Sequence, residues 1–88
     1  MKMPQVKASN INDRPNQFEI ITDKGRFFQS YRTIIVFINN KGEKFLDKDS
    51  WNYSHTTSRY RNQFLNETIA ETREKIKSGE YKLTNLNR

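Results

Sequence analysis

No cysteine occurs among the 88 residues, so neither a disulfide nor a thiolate metal site can hold this chain together. Glycine is scarce, at three residues, and no GxxxxGK[ST] or GxGxxG phosphate loop can be assembled. Histidine occurs once, at His55. The adjacent Ser54 projects in a different direction, so the two do not make a nucleophile and its base. One histidine and scattered carboxylates lack the ligand set of a metal site. Asp47 and Asp49 are the nearest to a hard-cation pair and read instead as the exit of a strand and an acidic helix entry. The expectation is a protein that is not an enzyme, with no cofactor and no metal. No apolar run approaches the length of a membrane span, and Met1 to Lys7 carry no apolar signal core. A cytoplasmic protein without membrane association is expected.

What is present is charge, aromatics and hydroxyls. Hydrophobic residues make up 33% and mean hydropathy is −1.03, yet 12% of the chain is aromatic. A core built from aromatics rather than disorder is expected, because each such ring buries about 150–250 Å². The length allows one domain and leaves it marginally stable alone. Lysine and arginine number 16 against 10 acids, a net charge of +6, dispersed along the chain. That excess favours acidic partners, nucleic acid included, although it also serves plain solubility.

Residues 1–15 hold both prolines and little periodicity and read as a flexible N-terminal tail or a loosely held edge segment, with a single domain over 16–88. Gln17 to Thr22 is a first strand, Asp23-Lys24-Gly25 a turn, and Arg26 to Tyr31 a second strand. Thr33 to Ile38 is apolar on both faces, as in a central strand, and residues 26–38 could be one strand bent near Ser30. Asn39 to Gly42 forms a hairpin loop, with Gly42 left-handed, and Glu43 to Asp47 a further strand. Tyr60 and Phe64, one turn apart, place a short helix over about 56–66. Thr68 and Glu71 form a capping box for a second helix ending at Ser78, before Gly79. Tyr81 to Thr84 is a last short strand or an extended tail. The fold class is therefore α+β, an antiparallel β-meander of three or four strands followed by two short helices packed on one face. The expected core is Phe18, Ile20, Phe28, Ile34, Val36, Ile38, Phe45, Trp51, Tyr60, Phe64, Leu65, Ile69, Ile76 and Leu83.

The densest stretch runs from Trp51 to Asn62, with three of the chain's aromatics, four Ser or Thr residues, two arginines and His55. Such a mixture suits contact with a partner. Hydroxyls near a helix N-terminus, with arginines after them, also suit phosphate. Tyr31 and Tyr53 could flank the same surface, beside Arg32, whereas Trp51 and Tyr60 better fill the gap between sheet and helices. The candidate binding residues are Tyr31, Arg32, Tyr53, Ser54, His55, Thr57, Arg59 and Arg61. Arg59 and Arg61 are expected to flank the buried stripe of the helix, with Glu67 or Asp47 as an alternative ion-pair partner for Arg61.

The pieces Phe28-Gln29-Ser30-Tyr31, Leu46-Asp47, Trp51-Asn52-Tyr53-Ser54, Thr56-Thr57, Tyr60-Arg61-Asn62, Phe64-Leu65, Ile76 to Tyr81 and Leu83 to Asn87 together resemble a functionally uncharacterised family of small phage and plasmid proteins. No site residue carries over from it. The resemblance implies a mobile-element accessory protein in a bacterial host cell, acting by stoichiometric binding to a host protein or ribonucleoprotein complex. Its sharp version is an inhibitor of a host defence system of the anti-CRISPR kind. The basic charge disfavours mimicry of DNA. The alternative is a small DNA- or RNA-binding module or regulator of the same element.

Overall fold

The computed structural model describes residues 6–87. Among them the chain forms an α+β domain in which six strands make one sheet in sequence order. Strands β1 (Lys7–Asn10), β2 (Gln17–Thr22), β3 (Gly25–Ser30), β4 (Thr33–Asn39) and β5 (Lys44–Asp47) run antiparallel. Helices α1 (His55–Leu65) and α2 (Ile69–Ser78) follow, and β6 (Tyr81–Thr84) returns parallel to β5. A parallel neighbour cannot be reached by a tight turn; it needs a crossover of a dozen or more residues, and the helix pair supplies it.

The meander is longer than the expected three or four strands, for two reasons. First, residues 7–10 take the second of the two forms expected for the N-terminal segment, an edge segment. They pair with β2 from Ile21 to Phe18 as an exposed edge strand, followed by a single 3-10 turn at Ile11–Asp13. Their polar sequence hides this, because every side chain of the strand is exposed and leaves no apolar alternation to read. The rest of the expected tail that precedes residue 6 lies outside the described residues. Second, residues 26–38 are two strands rather than one bent strand. The chain reverses at Tyr31-Arg32, between the paired Ser30 and Thr33, with Tyr31 left-handed at φ 57°. A tyrosine is an unusual residue for that conformation, and no Gly, Asn or Pro announces the turn.

Elsewhere local chemistry decides the elements as expected. Thr22 pairs with Gly25 across the two-residue loop Asp23-Lys24. Gly25 is irreplaceable for a reason beyond the turn: at φ 142° a Cβ would lie 2.1 Å from the Ile38 carbonyl oxygen of β4. The Thr68 hydroxyl accepts from the Glu71 amide at 3.2 Å, and the Glu71 carboxylate accepts from the Thr68 amide at 3.0 Å. Gly79 ends α2 in the left-handed region.

The helices cover one face of the sheet. Phe28, Val36 and Leu46 lie in register across β3, β4 and β5, and a bulge opposite Phe28/Gln29 buries Ile35 beside them. Tyr60 of α1 and Tyr81 of β6 complete this core, and Trp51, Phe64, Leu65 and Ile76 pack against it. The Phe64 ring stacks on Phe28 with centroids 5.7 Å apart. The Thr57 hydroxyl, from α1, hydrogen-bonds that of Ser30 at 3.0 Å. Four residues expected in the same core, Phe18, Ile20, Ile34 and Phe45, point instead to the opposite face, where they are half-buried. Leu83 is also outside the core, at 43% exposed on the outermost strand. Ile35, Leu46 and Tyr81 take their places.

Candidate functional site

The stretch from Trp51 to Asn62 bends over the start of α1. Ser50 and Trp51 amides donate to the Asp47 carbonyl oxygen, turning the chain out of β5. Ser54 then caps α1, its hydroxyl accepting from the Thr57 amide at 3.1 Å. The short loop between these turns is anchored from below by Arg61. Its guanidinium donates to the Trp51 carbonyl oxygen, to Asn62 Oδ1 at 2.9 Å and more weakly to Asn52 Oδ1 and Ser58 Oγ, both at 3.4 Å. It also lies over the Trp51 ring, 5.3 Å from the centroid. Arg61 is fully buried. Burial pulls its guanidinium below the ordinary arginine value, and the nearby charge of Glu67 opposes that pull.

Arg61 therefore does not flank the buried stripe from an accessible edge, as expected, but is itself buried. It holds the loop that shapes the site and cannot reach a partner. It also forms no ion pair with Glu67 or Asp47. Asp47 accepts from the Leu86 amide at 3.0 Å. Glu67, in the link between the helices, accepts from Lys75 Nζ at 2.8 Å, Thr72 Oγ1 at 2.5 Å and Tyr81 Oη at 2.6 Å. Burial opposes ionisation of Glu67, but these three donors outweigh it and hold the carboxyl below its usual value. Burial and the same carboxylate push the Tyr81 phenol up to about 12.

Above the Arg61 anchor is an open groove of about 580 Å³ between the loop, the first turns of α1 and the start of α2. Four of the candidate binding residues, Tyr53, Ser54, His55 and Arg59, line it, together with Asn52, Ser58, Asn62, Ile69 and Arg73. Tyr53 is 52% exposed at its lip. Ser58 Oγ donates to Asn52 Oδ1 at 2.7 Å, so one wall of the groove is a fixed hydroxyl–amide pair. Two arginines and a histidine face this space, and no Asp or Glu lines it.

The other expected residues do not join them. Thr57 is fully buried on Ser30. Tyr31 is 53% exposed but lines a separate hollow with Arg14, Gln17, Thr56 and Tyr60. Arg32 lies at a third place, beside Asp47, Asp49, Asn85 and Asn87. Arg73 is the residue the sequence did not reveal. It comes from the exposed side of α2 and shares the groove with Arg59 only because the fold brings parts of both helices to one place. Among the described residues no group of three or more His, Cys, Asp or Glu side chains comes together. No helix among them is long and apolar enough to cross a membrane.

A family of unknown function, DUF8033, matches residues 1–81. The chain belongs to that family. The match covers both helices and five of the six strands in full, and thus every residue that lines the groove. No curated protein and no solved structure matches the chain.

Proposed function

We propose that this member of DUF8033 is a non-enzymatic binding protein, acting stoichiometrically in the cytoplasm, and that the groove between α1 and α2 receives an acidic surface of its partner. The carrying observation is the convergence of Arg59 and Arg73, from two different helices, with His55 on one groove without a carboxylate. Arginine in such a setting presents several donors to a carboxylate or phosphate, while Tyr53 offers a ring that binds at little cost in conformational freedom. The net charge of +6 assists the encounter with an acidic partner.

The partner that fits best is a protein or ribonucleoprotein of the host cell. The resemblance to phage and plasmid proteins supports this reading and gives its sharp form, inhibition of a host defence complex. The mixed aromatic, amide and hydroxyl lining suits a shaped protein surface, whereas a pure phosphate site would need little of it. Binding to a nucleic-acid backbone is the second reading, favoured by the same two arginines and by the charge.

The two readings separate on salt. A phosphate binder retained on duplex DNA loses affinity with a slope near −0.9 per contact as salt rises. The double change Arg59→Glu with Arg73→Glu tests the groove itself. It should leave circular dichroism unchanged and abolish co-purification of the partner and any DNA retention. A folded double variant that binds as wild type removes the function from this groove.

A further inference from the structure

We propose that the open face of the sheet is the seat of a second copy of this chain, the two sheets packing face to face with their helices outward. The proposal does not depend on the groove, which lies on the helical side. Strand register places Ala8, Ile20, Phe27, Phe37, Phe45 and Lys82 in one row across all six strands. Phe18 and Ile34 lie on the same side, flanking Gln29 in the neighbouring row. None of these apolar residues belongs to the core or packs against it, and no described element covers them. An antiparallel sheet with one solvated face ordinarily carries polar side chains there. In a chain that is 30% charged, the centre of this face carries no charge at all; its one charged member in the row, Lys82, sits on the outermost strand. That composition is the mark of an interface shared between like subunits, which resembles a domain core cut in half.

The geometry of the rings narrows the occupant. Phe27 and Phe37 stack with centroids 4.5 Å apart and planes 20° from parallel, and Phe37 and Phe45 continue the stack at 6.0 Å. Their faces are turned to one another along the row and their edges outward. A platform for nucleic-acid bases needs free ring faces. Edges and aliphatic groups instead suit interdigitation with a second apolar sheet at about 10 Å spacing. Size agrees. Six strands of four to seven residues, at about 3.3 Å per residue and about 4.8 Å spacing, present on the order of 500 Å² of plane per copy, near the lower limit of a specific interface once side-chain relief is included. Two copies, each of charge +6, would meet through their uncharged faces and keep their basic groups at the outside.

Sedimentation equilibrium of the full chain tests this. A mass approaching twice the chain's 10.6 kDa is expected as concentration rises to about 100 μM, the range in which an interface at the small end of the specific class associates. A single-chain mass over that range overturns the proposal. Phe37→Lys, at the centre of the row, should give a folded monomer. Should that variant fail to fold, Ile20→Lys, at a half-buried flank of the same face, serves in its place with the same expected result. A folded variant that remains a dimer overturns the proposal. So does a monomeric wild type that binds a fluorescent oligothymidylate and loses it on the Ile20 change, because the face would then belong to a nucleic acid.

Discussion

The two faces of one sheet have nearly the same apolar content and opposite fates. On the helical side Phe28, Val36 and Leu46 are fully buried, and even an arginine and two threonines are sealed in with them. On the other side Phe27, Phe37 and Phe45 are only half-buried, although they sit on the same three strands one residue away. A period of two places side chains on alternate faces but does not say which face will be covered. Coverage comes from the crossover. α1 and α2 can close only on one side if β6 is to reach β5, and that side becomes the core.

The largest effect that tests this comparison is at Phe28. Phe28→Ala should cost about 3–5 kcal/mol, enough to unfold most molecules of a domain this small, as read by urea denaturation. A loss below about 1 kcal/mol would mean that the helical face is not the stabilising one.

Next comes Arg61→Ala, expected to cost about 2–3 kcal/mol, the scale for buried hydrogen bonds made by a charged group. Arg61→Lys should recover little of it, because an ammonium cannot reproduce the guanidinium's fan of contacts to Trp51, Asn52 and Asn62. An Arg61→Ala variant with wild-type stability and lost binding would return this residue to the contact surface.

A smaller effect is expected with pH. Tyr81 has a folded value raised to about 12, so its contribution is complete below the unfolded value near 10 and is lost as pH rises from there toward 12. Glu67 is held below its ordinary value, so its contribution is present above the unfolded value and is lost as pH falls through the folded one. The melting temperature should therefore fall at both extremes. Glu67→Gln should flatten the acid limb, and an unchanged acid limb would place the sensitivity elsewhere, Asp47 being the next candidate.

The smallest change belongs to the open face. Ile20→Thr should cost under about 1 kcal/mol in dilute protein, as at a half-exposed site. If two copies pair through this face, the cost grows with protein concentration, because association stabilises only the wild type by mass action. A large, concentration-independent loss would show that the open face is part of the monomer's own core.

Much of the site was legible, and the rest was hidden for identifiable reasons. Tyr53, Ser54, His55 and Arg59 could be named because they are near neighbours in sequence around one helix start, where a single turn brings side chains together. Arg61 was misplaced because helical spacing gives its direction and not what it meets; only the loop folding back from Trp51 makes that direction the interior. Arg73 carries no signal in the chain, since an isolated arginine on the outside of a helix looks like any solubilising charge until the fold brings Arg59 to the same groove. Between tail and edge segment the sequence of Lys7–Asn10 could not choose, because hydrogen bonding to β2, rather than apolar alternation, holds the strand.

By itself the sequence determined what is local. The strands from Gln17 onward, the Ser54 and Thr68 helix starts, the left-handed glycines at 42 and 79 and the α+β class all follow from chemistry acting over a few residues. Tertiary structure alone decided what depends on distant neighbours: that the chain reverses at Tyr31, that β6 runs parallel to β5, that Arg61 is buried and Arg59 free, and that one apolar face is sealed while the other is left open. Those outcomes depend on which surfaces meet, and residues far apart in the chain acquire that relation only when the helices close over the sheet.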